Sequence, residues 1–126
     1  MPQQPSILVV DDELLIRDLL YDFFNEQGWQ IAVAENGEKA LSILQQKKVD
    51  LVLTDLKMPQ MDGLALTSKV QQDFPDIPVV IMTGYPSVES AVTALRRKVA
   101  DYVTKPFNIS ELLKIVESHL VFDDRE

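Results

Sequence analysis

The 126-residue chain contains no cysteine and a single histidine, His119. The first absence excludes disulfide scaffolds, thiol catalysis and cysteine-based zinc sites. The second excludes metal centres built from several imidazoles. Bases are also scarce: 12 Lys and Arg stand against 20 Asp and Glu, giving a formal net charge of −8 and a sequence pI near 4.5. A nucleic-acid module needs a basic face to displace phosphate counterions, and docking on anionic lipid needs one too; neither is expected. Unbroken apolar runs reach only four residues, as in Ile7 to Val10 and Val79 to Met82, too short to cross a membrane. The opening Met1-Pro2-Gln3-Gln4-Pro5 has no basic region or apolar stretch and does not read as a secretory signal. A cytoplasmic protein is expected.

What is present fits one globular domain. Hydrophobic residues make up 46% and charged residues 25%, the balance of a packed chain rather than a disordered one. The length suits a single domain over 1–126, with an ordered core expected over about 6–120. Short β-rich runs (Ser6 to Val10, Trp29 to Ala34, Asp50 to Thr54, Ile77 to Met82, Ala100 to Val103) alternate with stretches of helical apolar spacing. The first such stretch carries Leu15, Ile16, Leu19, Leu20, Phe23 and Phe24 and stops near Gly28. The second opens at Asn36-Gly37, the third runs from about Leu64 to Phe74, and the fourth starts around Ser87. The fifth is announced by Asn108, three residues before Glu111, a cap pair.

Strand–helix alternation on this scale implies parallel strands with right-handed crossovers. Runs such as Ile7-Leu8-Val9-Val10 do not alternate, as befits strands buried on both faces. The expected fold class is therefore α/β, a doubly wound (βα)5 sandwich around a five-stranded parallel sheet. Ligands in such sheets bind outside the carboxyl ends of the strands, where strand order reverses. At those ends stand Asp11-Asp12, Asp55, Thr83 and Thr104-Lys105-Pro106. Each has a plain structural reading: Asp12 as a cap of the first helix, Asp55 as a loop cap, Thr83 as a partner for nearby backbone, Lys105 as a solvated charge. The fold nevertheless gathers them at one edge. Clustered carboxylates resist simultaneous ionisation, and a hard divalent cation such as Mg²⁺ relieves them. With Lys105 as a second cation and Thr83 as a hydroxyl donor, the set suits phosphoryl transfer to a carboxylate nucleophile.

Four segments carry a specific resemblance: Ile7 to Glu13, Leu53 to Gly63 (Leu-Thr-Asp-Leu-Lys-Met-Pro-Gln-Met-Asp-Gly), Met82 to Tyr85, and Asp101 to Phe107. Asp55 and Thr83 are 28 residues apart, Thr83 and Lys105 are 22. In this wording and order, from about Ser6 to Leu120, the chain resembles the response-regulator receiver domain of two-component signalling, a flavodoxin-like fold, and most nearly its nitrogen-regulator class. Members of that class often continue into an ATPase and a DNA-binding domain. The resemblance implies Asp55 as phosphoacceptor, Asp11 and Asp12 as Mg²⁺ holders, and the backbone carbonyl of Lys57 as a further metal ligand. It implies Thr83 as the switch hydroxyl, Tyr102 as the switch aromatic and Lys105 as the phosphoryl-contacting ammonium, with a cis Lys105-Pro106 bond. It also implies a sensor histidine kinase or phosphotransfer protein as partner. A homodimer through the fourth helix, fifth strand and fifth helix is a further possibility it raises. Such a domain catalyses only its own phosphorylation and dephosphorylation. The alternative is a Mg²⁺-dependent phosphohydrolase with an aspartyl intermediate, but that class wants an Asp-x-Asp pair on the first strand, where this chain has Asp11-Asp12-Glu13.

Two departures from the family pattern bear on switching. Lys98-Val99 stands where Gly-Ala is usual after the fourth helix, and that glycine tolerates the left-handed closing conformation. Pro86 follows Tyr85 where a small residue is commoner, and it biases Tyr85 away from helical geometry. Among the remaining features, Arg96-Arg97-Lys98 reads as a solvated helix end, Trp29 as packing, Met58 and Met61 as lining of a loop, and Asp123 to Glu126 as a frayed terminus or linker start.

Overall fold

Residues 4–120 are described by a computed structural model of the chain; Met1 to Gln3 and the acidic tail Asp123 to Glu126 lie outside them. The elements run β1 (Ser6–Val10), α1 (Leu14–Glu26), β2 (Gln30–Ala34), α2 (Gly37–Gln46), β3 (Leu51–Asp55), α3 (Gly63–Asp73), β4 (Val79–Thr83), α4 (Val88–Arg96), β5 (Asp101–Thr104) and α5 (Ile109–Ser118). All pairings are parallel, in the order β2-β1-β3-β4-β5. This is the doubly wound sandwich expected from the alternation.

The non-alternating runs are apolar on both faces because both faces are covered. Ile7 and Val9 of β1, Leu51 and Leu53 of β3, and Val80 and Met82 of β4 pack with Leu20 and Phe24 of α1 and Leu112 and Val116 of α5. The alternate residues Leu8, Val10, Val52, Val79 and Ile81 pack with Ala40 and Leu44 of α2 and Leu66 and Val70 of α3. Strand order reverses between β1 and β3, so Asp11 and Asp55 leave adjacent strands at the switch point.

Several local expectations are corrected. The α1 stripe is narrower than its sequence spacing implies: Leu20 and Phe24 are buried, whereas Leu15 and Leu19 are exposed. Trp29 precedes β2 rather than opening it, and stacks on Phe24 at 5.3 Å. Met58 is buried in the core, not merely loop lining. Asp12 does not cap α1; the N-cap residue is Glu13, whose side chain makes no capping bond. Arg97 is not simply solvated, because its guanidinium reaches across to Ser68 and to the Leu64 carbonyl of α3. Lys98 does close α4 in the left-handed region, at φ 59°, despite its side chain. The Lys105-Pro106 bond is cis.

Candidate functional site

Asp11 is the most completely engaged group at the switch point. Its N–H donates to the Ala34 carbonyl at 3.1 Å, and its carbonyl accepts from Arg17 Nη1 at 2.8 Å. Its Oδ1 accepts from the Glu13 N–H at 2.9 Å and its Oδ2 from Lys105 Nζ at 2.8 Å. A fully buried carboxylate is tolerable only when bonded in this way. Asp12, the next residue, is exposed.

Asp55 closes β3 and is nearly buried. Its backbone is held from behind by α3: Gly63 N–H donates to the Leu56 carbonyl at 2.8 Å, and a Cβ on Gly63 would collide with the Asp55 carbonyl oxygen. That close approach is what demands glycine there. Lys105 Nζ lies 3.5 Å from Asp55 Oδ2 and 3.7 Å from Glu13 Oε1. Burial, then the Asp11 charge, pushes the Asp55 carboxyl up to about 6; Lys105 opposes this and Asp12 adds to it. For Lys105, burial works against the ammonium, but its bond to Asp11 and the charges of Asp11, Asp55 and Glu13 outweigh that and raise its pKa.

Asp11, Asp12 and Asp55 each offer an oxygen, all within 4.8 Å of one another. One ammonium against three carboxylates leaves negative charge to be neutralised. The donor set therefore fits Mg²⁺, which takes hard oxygens from one or two carboxylates and keeps several waters. Lys57 lines the same cleft of about 210 Å³ with Asp12, Glu13, Asp55, Gly84, Tyr85 and Lys105. Thr83 is buried at the end of β4, its Oγ1 accepting from the Tyr85 N–H at 3.0 Å; this is the plain backbone role, and it leaves the hydroxyl proton for another acceptor. Tyr102 is not in the cleft. Its ring packs on the α2–α3 side of the sheet and its hydroxyl lies 2.6 Å from Ser90 Oγ of α4.

Thus Asp11, Asp12, Asp55, Lys57 and Lys105 converge, while Tyr102 sits apart. Sequence reasoning assigned no role to Glu13, Tyr85, Arg17 or Ser90. Glu13 and Tyr85 were legible as neighbours of the motif residues; Arg17 and Ser90 carry no local signal.

A buried, crowded carboxylate at the switch point of a 2-1-3-4-5 parallel sheet, facing an ammonium and a cation-sized group of oxygens, places the chain among α/β domains whose chemistry sits at the carboxyl ends of the strands and suits phosphoryl transfer. Comparison with known proteins fixes the family: residues 7–117 match the response regulator receiver domain, and the chain belongs to that family. It is 42% identical over 114 residues to the regulatory protein AtoC of Escherichia coli, covering 90% of this chain and 25% of that one. It is 39% identical over 115 residues to the DNA-binding transcriptional regulator NtrC of Salmonella typhimurium, covering 91% and 24%. The chain thus spans about a quarter of the length of the curated relatives it matches. Among solved structures, the response regulator TrrA of Thermotoga maritima, in complex with Mg²⁺ and BeF, aligns at TM-score 0.83 with 36% identity over 93% of this chain and all of that one. A signal receiver domain from Pseudomonas fluorescens aligns at 0.89 with 28% identity over 93% and 94%. The chain is a receiver domain of the response-regulator type, similar to those of the NtrC and AtoC regulators. Among the described residues no helix is long and apolar enough to cross a membrane.

Proposed function

We propose that the whole chain acts as one receiver unit in the cytoplasm, accepting a phosphoryl group on Asp55 from a sensor histidine kinase or phosphotransfer protein. The carrying observation is the Asp55 carboxylate itself, nearly buried and pressed by Asp11, yet open to the cleft and 3.5 Å from Lys105. Its oxygen attacks the phosphorus in line, the P–N bond to the donor imidazole breaks, and the nitrogen keeps the electron pair. Charge spreads over three equatorial oxygens in the loose transition state. Asp11, Asp12 and Asp55, with the Lys57 carbonyl, would hold Mg²⁺, which when bound would neutralise part of that charge. Lys105 takes another part as an ammonium, which requires it to loosen its bond to Asp11. Thr83 donates its hydroxyl proton to a phosphoryl oxygen.

Recruiting Thr83 loosens its bond from the Tyr85 N–H and opens space near β5, into which Tyr102 rotates. The face of α4, β5 and α5 then changes shape and meets a partner, a second copy of the domain being one. This unit turns over its own modification and has no external substrate. Incubation with acetyl phosphate and Mg²⁺ is expected to raise the intact mass by one phosphoryl group and then stop, with Asp55→Asn unlabelled. Labelling of that variant overturns the assignment, and steady turnover of a phosphomonoester would favour a phosphohydrolase instead.

A further inference from the structure

Among the described residues, α1 is the one helix whose first turn is not capped by its own N-cap side chain. Asn36, Asp62, Ser87 and Asn108 each accept backbone N–H bonds at the starts of α2, α3, α4 and α5. Glu13 makes no such bond, and the first turn of α1 carries no acidic residue. The uncapped start is also where Asp11 and Asp12 lie, so a loop that must hold two carboxylates in place lacks the usual device for holding a loop. Two other contacts stand in for it. One is the Asp11 Oδ1 bond from Glu13 N–H; the other comes from Arg17, one turn into α1, whose half-buried side chain folds back to bond the Asp11 carbonyl at 2.8 Å.

The carbonyl that Arg17 holds belongs to the peptide joining Asp11 to Asp12. A peptide unit is planar, so fixing its C=O fixes the direction in which Asp12 leaves it. Asp12 is exposed and receives no capping bond of its own; its place in the oxygen cluster with Asp55 depends on that peptide plane. We infer that Arg17 is a positioning residue for the divalent cation, locking the Asp11–Asp12 peptide so that the Asp12 carboxylate faces Asp55. This rests on the acid cluster being a Mg²⁺ site.

Geometry and charge make opposite demands here, which makes the inference testable. A guanidinium beside three carboxylates repels a cation, so if its charge were all that mattered, its removal would tighten Mg²⁺ binding. Loss of a group that orients a metal ligand weakens binding, typically by about 10-fold or more. The Arg17 charge also acts on Glu35: Lys39 chiefly, and Arg17 in addition, hold the Glu35 carboxyl below the usual range.

The test is Mg²⁺ titration alone, without phosphodonor, followed by amide NMR shifts of Asp12, Asp55 and Gly84 and by calorimetry. Arg17→Ala is expected to weaken Mg²⁺ binding about 10-fold and to displace the Asp12 amide resonance before any metal is added. Arg17→Lys, which keeps a donor, should recover part of that affinity, and Glu35→Gln should bind like the parent. Unchanged or tighter binding by Arg17→Ala overturns the inference, as does equal weakening by Glu35→Gln. If Arg17→Ala does not fold, Arg17→Met, which keeps the apolar stem but no donor, decides: affinity and Asp12 resonance identical to the parent's would overturn the inference. Full Mg²⁺ binding by Asp12→Asn would instead undo the reading of the cluster as the metal site, a separate failure.

Discussion

The β1–β3 edge and the end of α4 both hold unfavourable arrangements, but of different kinds. At the first, the strain is electrostatic. Asp55 is buried beside Asp11 with one ammonium between them, and the surrounding backbone is fixed by apolar packing on both faces of the sheet. At the second it is conformational. α1 and α4 finish in the same backbone motif: Gly28 and Trp29 bond back to Asn25 and Phe24, and Lys98 and Val99 bond back to Leu95 and Ala94. The left-handed position is glycine in α1, at φ 83°, and lysine in α4, at φ 59°. α1 is also anchored by buried Leu20 and Phe24, whereas α4 buries only Ala94. Polar clips do the rest for α4, through Ser90 to Tyr102 and through Arg97 to α3. Charge strain in a rigid frame is relieved by a ligand. Backbone strain in a lightly packed helix is relieved by moving the helix.

The largest expected effect tests the electrostatic half. Asp55 holds its proton up to about pH 6 when folded and only to about 3.8 as an ordinary carboxyl. Between those values the folded state binds more protons than the unfolded chain, so stability falls as pH rises from about 4 to 6, and the penalty persists in full above. Asp55→Asn should therefore stabilise the metal-free protein at pH 7 by up to about 3 kcal/mol and flatten this part of the pH profile. Urea unfolding at several pH values measures both. A variant no more stable than the parent at pH 7 would mean that Lys105 already balances the site.

The next effect compares the two helix ends directly. The left-handed conformation costs an L-residue about 1–2 kcal/mol, and glycine gives back about 0.5–1 through the unfolded chain's greater freedom. Lys98→Gly should thus gain about 0.5–1 kcal/mol. Gly28→Ala should lose a similar amount, because a Cβ there meets nothing within 4 Å and only the backbone objects. Opposite signs of similar size in denaturant midpoints confirm that the two ends differ in residue and not in geometry. A loss on Lys98→Gly would show that the lysine side chain contributes something the φ angle conceals.

Much of this was legible in the sequence, for physical reasons. Strands buried on both faces must be apolar at every position, so Ile7 to Val10 and Val79 to Met82 identify themselves, and parallel topology then brings Asp11, Asp12, Asp55 and Lys105 to one edge. The missing glycine at Lys98 pointed to the right place, though the chain closes in the usual conformation and bears the strain. The rest depends on contacts between elements distant in sequence. Helical periodicity marks Leu15 and Leu19 as one face of α1 but not how much of that face the sheet covers. Nothing local to Arg97 indicates that it spans to Ser68, and nothing near Ser90 indicates that Tyr102 lies opposite it.

The smallest effect in free energy concerns that last pair, and it bears most on function. A single partly exposed hydroxyl–hydroxyl bond contributes at most about 1 kcal/mol, little against the stability of a domain but comparable to what biases a two-state element. Ser90 Oγ and the Tyr102 hydroxyl join α4 to β5 at 2.6 Å, and α4 has only Ala94 buried to resist displacement. If Tyr102 must turn for the face to change, this bond opposes the turn. Ser90→Ala removes it while leaving the ring and its packing intact. Global stability should fall by no more than about 1 kcal/mol, and amide hydrogen exchange should quicken in α4 while α1 stays protected. Backbone shifts from Ser87 to Tyr102 should also move part of the way toward those the parent shows with beryllofluoride. Exchange that quickened equally in α1 and α4 would erase the contrast between the two helices, and shifts that moved the other way would make the bond a support of the switched state.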